Sequence, residues 1–331
     1  MIDTPMENTL NQIAAKLTSD ISGLLSRSGI MFRIFSRVKS EGSIRKKLEH
    51  KYAGKKIQLQ DMIGIRIVVY FQDDVDVLAL YYSVGDIVKT SIDELDSSTF
   101  RPQRLNITSR IPAEMIDAFM SAVPENFKDR IDPTYEVQIR TVFSEGWHEV
   151  EHDLRYKCKN DWEGCESYAR ALNGVIATLE TAEWNMKSIF SDMARQNFNH
   201  SNYTAMLRNK FHLRFASDSL SEELHDYLKS NRDLAEAALN SDRMIIVYTM
   251  LRHKGTFDLT FDNLLFLINR IEMMDPGLRS MEPEATATWP FRPKRRHRSS
   301  VRKPTRWPGP KTGPRSRWAY SLAKPGRRAF K

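Results

Sequence analysis

A strand-like run with an arginine inside it is the feature that most constrains this chain. Residues 65–71 read Ile-Arg-Ile-Val-Val-Tyr-Phe, and such a β-branched and aromatic run predicts a buried strand. Arg66 is costly to bury there unless it is paired or faces a site. Asp61 comes shortly before the strand. Two interpretations are open: a structural Asp61–Arg66 pair, or a strand that carries both residues into a functional site.

Two further segments alternate between apolar and polar residues and are predicted to be strands, at 105–111 and 135–140. In the second, the period of two places Glu136, Gln138 and Arg140 on one face. An acid, an amide and a base in line are typical of a binding face, although a solvated outer face has the same pattern.

Helical periodicity accounts for most of the rest of the chain. Predicted helices cover residues 6–27, 43–52, 75–84, 144–157 and 164–198, and mainly helices follow from 202 to about 274. Within 144–157 we expect Trp147, Val150 and Leu154 to form the buried stripe. Early strands mixed with helices, followed by helices alone, predict an α/β (α+β) domain with a helical C-terminal extension.

The charge of the chain is divided unevenly. From Phe291 to the end there are 15 Lys and Arg residues and no Asp or Glu, so the remainder has a net charge of −7. The body lacks the basic excess of a general nucleic-acid binder. The segment from Pro290 is rich in Arg, Pro and Trp and predicts disorder. It is either an RNA-contacting or ribosome-contacting arm, or an extension translated outside the original reading frame.

The start of the chain and its apolar runs indicate a cytoplasmic protein with no membrane segment. Acids stand where a signal peptide needs bases, and the longest apolar runs are too short to cross a bilayer. The two cysteines, Cys158 and Cys165, cannot form a disulfide framework.

Two motifs suggest chemistry without defining it. Arg37, Lys39 and Lys47 lie in a basic segment, residues 36–47, that suits a polyphosphate, although a solvated basic helix face has the same composition. Residues 148–152 read His-Glu-Val-Glu-His, a spacing that binds zinc on a helix only with a third ligand. Glu163 or Glu166 would serve only after a break in the helix.

Taken together and in order, these segments resemble the synthetase domain of the RelA/SpoT family, the (p)ppGpp synthetases. The family pattern of Arg-x-Lys-Ser, Asp-x-x-Gly-x-Arg-Ile, Glu-x-Gln-Ile-Arg-Thr and Trp-x-x-x-Glu-His-x-Leu-x-Tyr-Lys is matched here from Arg37 to Lys157. The resemblance implies a nucleotidyltransferase-like mixed sheet flanked by helices. The resemblance covers residues 30–160, the synthetase domain. Periodicity and composition add an N-terminal helix (1–29), a helical extension (161–289) and the basic tail (290–331). The resemblance also explains the His-Glu-x-x-His spacing as an accident of the helix that carries the last of these motifs. The chain resembles the compact, synthetase-only members of the family.

The resemblance also implies an activity and the residues that perform it. The family moves the β,γ-diphosphate of ATP to the 3′-hydroxyl of GDP or GTP. On that template Arg37, Lys39, Lys47 and Arg66 bind ATP, while Asp61 and Glu136 are catalytic and hold Mg²⁺. Gln138, Arg140 and His152 are expected near the acceptor, as are Phe100 and Asn106.

One departure from the family concerns the acceptor. The family has a Gly-Tyr-Arg-x-x-His segment whose Tyr stacks on guanine. Residues 100–106 here lack the Gly-Tyr pair; Phe100 supplies the nearest aromatic ring, and Asn106 replaces the His. The identity of the acceptor therefore stays open. It is a guanine nucleotide or, as in toxin members of the family, the 3′ end of tRNA. In a third alternative the protein is a nucleotide-sensing pseudoenzyme that transfers to no acceptor. Association into a homo-oligomer also stays open.

Overall fold

The structure is a computed structural model that describes residues 4–50, 58–84, 87–92, 105–255, 257–285 and 289. All of the described residues belong to one compact unit. The predicted tail from Pro290 and the acceptor residue Phe100 lie outside the described residues.

A five-stranded mixed sheet forms the centre of the N-terminal half, with strand order β1-β2-β5-β4-β3. β2 and β5 pair in parallel, and the other neighbours are antiparallel. This confirms the predicted mixed sheet flanked by helices. The strands are β1 (Phe32–Val38), β2 (Ile63–Val69), β3 (Ile87–Ile92), β4 (Leu105–Arg110) and β5 (Thr134–Thr141).

Twelve α-helices surround and extend the sheet within the described part of the chain. They are α1 (Pro5–Arg27), α2 (Glu41–His50), α3 (Gln72–Tyr82), α4 (Ala113–Ala122), α5 (Val142–Glu151), α6 (Glu166–Asn199), α7 (Tyr203–Phe211), α8 (Glu222–Ser230), α9 (Arg232–Asn240), α10 (Arg243–Arg252), α11 (Phe261–Ile268) and α12 (Pro276–Ser280). The run from α7 to α12 confirms the predicted helical C-terminal region. None of the helices in the described residues is both long and apolar enough to cross a bilayer.

The two faces of the sheet differ in polarity because side chains alternate along each strand. Ile65, Ile67, Val137, Ile139 and Ile107 point to one face and are almost fully buried. Helix α1 contacts β1 and β2 near this core, and α3 contacts β2, β4 and β5. The opposite face is polar, and it carries Arg66, Glu136 and Gln138.

The helical region is joined to the sheet domain through buried contacts. Arg243, the first residue of α10, donates from Nη2 to Asp74 Oδ1 of α3 at 2.6 Å, and both side chains are buried. Gly29, just after α1, has φ of +72°. A Cβ at this position would collide with the side chain of Leu259 and the carbonyl of Arg214. The positive φ and the close contact together require glycine here.

The expectation for residues 144–157 is wrong in two respects. Helix α5 ends at Glu151, and His152–Tyr156 form a wider π-helical turn. Only Trp147 of the predicted stripe is buried, whereas Val150 and Leu154 are 48% and 63% exposed. Trp147 fixes α5 against α6 by donating from Nε1 to the Leu172 carbonyl. The wider turn breaks the 3.6-residue period, so Leu154 no longer follows Trp147 onto the buried face.

Candidate active site

The polar face of the sheet brings sequence-distant candidates into two rows across the strands. Strand register places Arg37, Gly64, Glu136 and Thr108 in one row and Phe35, Arg66, Gln138 and Asn106 in the next. Neighbouring strands lie about 4.8 Å apart. The backbones of Arg66 on β2 and Asn106 on β4 are two strands apart, so about 10 Å separates them across the sheet. The predicted donor and acceptor residues thus share one face, with β5 between them.

Asp61 collects the two lysines of the basic segment. Lys39, which follows β1, and Lys47 on α2 approach Asp61 Oδ2 with their Nζ atoms at 2.8 and 2.6 Å. Burial by itself would raise the pKa of Asp61, but the hydrogen bonds and charges of the two lysines outweigh it and hold that pKa below its usual range. Among the described residues, the buried Oδ1 of Asp61 has no hydrogen-bond partner.

Arg66 is paired with acids that the sequence analysis did not select. Its Nη1 donates to Glu145 Oε1 at 2.7 Å and also contacts Glu149, while its Nε donates to Gln138 Oε1 at 3.3 Å. The structural Asp61–Arg66 pair is not formed, because Asp61 is occupied by lysines. The guanidinium of Arg66 is therefore fixed in orientation on the polar face, with its side chain 31% exposed.

Glu145 also holds the second arginine of the site. Arg140 is buried, and its Nη1 donates to Glu145 Oε2 at 2.8 Å. Thr141 caps α5 by accepting from the Ser144 amide, which places Glu145 in the first turn of the helix. The sequence signal for Glu145 was an acid at the start of a predicted helix, shortly after Arg140 and Thr141. Its two arginine partners lie on different strands, so the spacing of residues could not reveal them.

Glu136 lies beside a glycine on the polar face of the sheet, so there is open space next to its carboxylate. It accepts from Gln138 Nε2 at 3.2 Å, and its neighbour across β2 is Gly64, which has no side chain to fill the space. Asp61 precedes β2 by two residues and Glu136 is near the start of β5, so both acids lie at the same end of a parallel pair.

The site suits a cation that keeps water and substrate ligands. The described ranges contain no group of three or more Asp, Glu, His or Cys side chains placed so that they could hold a metal ion. An all-protein cage is therefore not formed by these residues. Mg²⁺ is commonly bound by one or two carboxylates together with waters and phosphates. The unpartnered Oδ1 of Asp61 and the half-buried carboxylate of Glu136 are the side-chain oxygens that could supply such a donor set.

The acceptor candidates are only partly brought together. Gln138 and Asn106 are opposite each other on β5 and β4, and the buried Oδ1 of Asn106 has no hydrogen-bond partner among the described residues. His152 instead pairs with Asp153 at 2.9 Å and stacks on Tyr156. In the His-Glu-x-x-His segment, Glu149 is occupied by Arg66.

Phe35 is a candidate that the sequence analysis missed. It lies on β1 directly opposite Arg66 in the strand register, and it is 55% exposed. An exposed aromatic ring next to a fixed guanidinium offers an apolar surface to a planar base. Its sequence signal was weak, because β1 is an edge strand with arginines on both sides of Phe35 and was not predicted as a strand.

Comparison with known proteins places the site within a family region. Residues 36–161 match the family model described as a region found in RelA / SpoT proteins. No curated protein matches the chain. Among solved structures, it is similar to a GTP pyrophosphokinase family protein from Streptococcus pneumoniae, with 22% identity, a TM-score of 0.40, and coverage of 55% of this chain and 89% of that chain.

Two structures from Bacillus subtilis are also similar. The small alarmone synthetase 1 bound to its product pppGpp is 20% identical, with a TM-score of 0.40 and coverage of 54% of this chain and 92% of that one. The small alarmone synthetase 2 is 23% identical, with a TM-score of 0.39 and coverage of 54% and 94%.

Proposed function

We propose that the RelA/SpoT-type domain of this chain, at residues 36–161, transfers a diphosphate group from ATP to the 3′-hydroxyl of a guanine nucleotide. In this reaction the acceptor 3′-oxygen forms a bond to the β-phosphorus of ATP. The bond from that phosphorus to the oxygen bridging it to the α-phosphate breaks, and AMP leaves. The observation that carries the proposal is the polar sheet face, where Lys39 and Lys47 meet around Asp61 one strand away from Glu136.

Lys39 and Lys47 are positioned to bind the phosphates of ATP. Their ammonium groups share one oxygen of Asp61, and both side chains remain partly exposed, at 28% and 22%. Phosphate oxygens carry more negative charge than a single carboxylate, so an entering triphosphate competes well for these donors. Arg37 is exposed on the same face and adds a bidentate donor.

Arg66 and Phe35 are positioned to bind the adenosine end of ATP. Glu145, Glu149 and Gln138 hold the guanidinium of Arg66, so little conformational entropy is lost when a base stacks on it. Phe35, opposite in the register, extends that surface with an exposed ring. We assign these two residues to base binding.

Glu136 is proposed as the general base for the acceptor hydroxyl. Only one of its oxygens accepts from Gln138, and the neighbouring Gly64 leaves room beside it. The proton of the 3′-hydroxyl moves to Glu136 as the oxygen attacks, and AMP carries away the electrons of the broken bond. Asp61 and Glu136 would hold Mg²⁺, which stabilises the developing phosphate charge when it is bound.

A transfer assay with separate acceptors tests the proposal. ATP labelled at the γ-phosphate is incubated with the full chain and GDP, GTP or deacylated tRNA, each with and without Mg²⁺. We expect label on GDP or GTP, dependent on Mg²⁺, and none with Glu136→Gln. Lys16→Ala, which removes an exposed ion pair with Asp20 on α1, is the matched control and keeps full transfer.

The other results of this assay identify the alternatives. Label on tRNA alone would replace the guanine nucleotide with an RNA acceptor while keeping the same chemistry. If the protein binds ATP in a filter assay but labels no acceptor, the proposed transferase activity is wrong. The protein is then a nucleotide-sensing pseudoenzyme.

A further inference from the structure

We infer that Glu7, near the start of α1, is a positioning residue for the lysine that α2 contributes to ATP binding. The inference rests on the proposed function, in which Lys47 of α2 binds the phosphates of ATP. Glu7 lies outside residues 36–161, the region that matches the family model. Its carboxylate contacts the first backbone amide of α2: the Glu41 N–H donates to Glu7 Oε1 at 2.7 Å.

Both oxygens of the Glu7 carboxylate accept hydrogen bonds, each at the start of a different helix. Oε1 accepts from the Glu41 amide of α2, and Oε2 accepts from the Thr4 amide at 3.0 Å. Thr4 caps α1 in return, because its hydroxyl accepts from the Glu7 amide at 3.3 Å. A capping box needs only one oxygen of this side chain. The other oxygen is therefore available to bind α2.

Glu7 is fixed on a well-packed helix and carries a negative charge. It lies in the first turn of the 23-residue α1, between Met6 and Leu10, which are buried in the core. The amides of Glu41 and Thr4 hold the pKa of the Glu7 carboxyl below its usual value, so the side chain is ionised at neutral pH. An ionised acid at the start of a helix interacts favourably with the helix dipole. Glu7 therefore stabilises the start of α2 as well as that of α1.

Helix α2 depends on this contact because its own sequence stabilises it weakly. Of its ten residues, all of which the structure describes, only Ile44 and Leu48 are buried. Gly42 in the first turn is a poor helix former. Helices this short gain most of their stability from packing against other elements. The amide of Glu41 has no acceptor within the helix, and Glu7 supplies one.

A displacement at the start of α2 reaches Lys47 through the helix. Lys47 is six residues after Glu41, which is about 9 Å along the helix axis. Its Nζ lies 2.6 Å from Asp61 Oδ2. Lys39 precedes α2 and keeps its own contacts with Asp61, one to Oδ2 and one to the backbone carbonyl. Loss of the Glu7 contact therefore displaces one of the two phosphate-binding lysines and leaves the acceptor side of the sheet face unchanged.

Kinetic comparison of Glu7 variants tests the inference. The full chain is compared with Glu7→Ala, which removes both acceptor oxygens, and with Glu7→Gln, whose amide oxygen keeps one. We expect the KM for ATP to rise about 2- to 10-fold in Glu7→Ala, the effect of one hydrogen bond, and to rise less in Glu7→Gln. The KM for GDP should not change. Thr4→Ala is the matched control: it weakens the cap of α1 but leaves the Glu7 carboxylate in place, so both KM values should stay at their wild-type level.

Amide hydrogen exchange tests the contact without relying on activity. Exchange in the first turn of α2 should be faster in Glu7→Ala than in the wild type or Thr4→Ala, because that turn opens locally. Unchanged exchange there, equal rises in the KM values for ATP and GDP, or an equal effect of Thr4→Ala would each overturn the inference and leave the proposed function in place. A wild type that transfers no label, with faster exchange in Glu7→Ala, would instead overturn the proposed function and with it the role of Glu7 in ATP binding.

Discussion

Arg66 and Glu145 form the contact that ties the polar sheet face to helix α5. Nη1 of Arg66 lies 2.7 Å from Oε1 of Glu145, and the other oxygen of the same carboxylate accepts from Arg140 at 2.8 Å. One acid therefore pairs with two arginines from neighbouring strands. In the proposed function it would act on nucleotide binding through these arginines, so we regard Glu145 as a positioning residue.

Replacing Glu145 with Ala is expected to destabilise the fold by about 3 kcal/mol, as when a buried pair loses one partner. The physical reason is Arg140, whose side chain is 4% exposed and would keep its charge without this carboxylate. Urea unfolding measures the change. Glu149→Ala is the control, because Glu149 also contacts Arg66 but its side chain is 52% exposed; we expect a loss of less than about 1 kcal/mol. Equal losses in the two variants would contradict the role given to Arg140.

Asp61→Ala and Glu136→Ala are each expected to reduce transfer at least about 100-fold while the fold is retained, since a metal clamp supplies several kcal/mol of charge stabilisation. Both acids lie at the partly exposed end of the parallel β2–β5 pair, so their removal does not open the core. Single-turnover rates with labelled ATP measure the loss, and circular dichroism checks the fold. Turnover close to that of the wild type in either variant would remove that residue from the proposed metal site.

The stability of the protein should depend on the ionisation of Asp61 in acid. Burial would raise its pKa, but Lys39 and Lys47 lower it below the ordinary value. The unfolded chain therefore takes up the proton first as pH falls, and the stability from this group is present above about pH 4 and lost below it. We expect the free energy of unfolding to fall more steeply below pH 4 in the wild type than in Asp61→Asn. Parallel curves for the two proteins would show that the lysines do not stabilise the ionised form.

The sequence was sufficient for the elements with strong periodicity. The buried run around Ile65 and Ile67, the alternation around Glu136 and the long α6 are each observed close to their predicted bounds. Strand β1 was missed because an edge strand needs no continuous apolar face, and its residues from Arg33 to Arg37 are mostly polar and exposed. The first residues of α5 were also missed, because Thr141 starts the helix earlier than its apolar stripe suggests.

The site could be predicted in its residue types but not in its partners. Asp61 and Arg66 are close in sequence and were one plausible pair, yet the first is held by lysines and the second by Glu145 and Glu149. Side-chain pairing across strands depends on register and on where a following helix begins. Neither of these is encoded in local spacing. Phe35 was missed because the edge strand that carries it was not predicted.

The Asp74–Arg243 pair is expected to be the most sensitive link between α3 and the helical region. Burial raises the pKa of the Asp74 carboxyl, and the charge of Arg243 opposes that shift. Asp74→Ala leaves the buried Arg243 without its acid and should cost about 3–5 kcal/mol. The double variant Asp74→Leu/Arg243→Leu removes both charges, so we expect it to unfold at higher urea than Asp74→Ala. A double variant less stable than the single one would show that the pair itself is strongly favourable.

Asn106 is the residue of the predicted acceptor segment 100–106 whose substitution tests acceptor binding, because the structure describes it. Its buried Oδ1 has no partner among those residues, faces Gln138 across β4 and β5, and lies two strands from Arg66. We expect Asn106→Ala to raise the KM for GDP about 2- to 10-fold, the effect of one hydrogen bond of about 0.5–1.5 kcal/mol, and to leave the KM for ATP unchanged. Steady-state titration of each substrate measures the two values. Thr108→Ala, the next position of β4 on the same face, controls for disturbance of the strand and should change neither KM. A rise in the ATP value alone would place Asn106 on the donor side and reverse the assignment of the two ends of the sheet face.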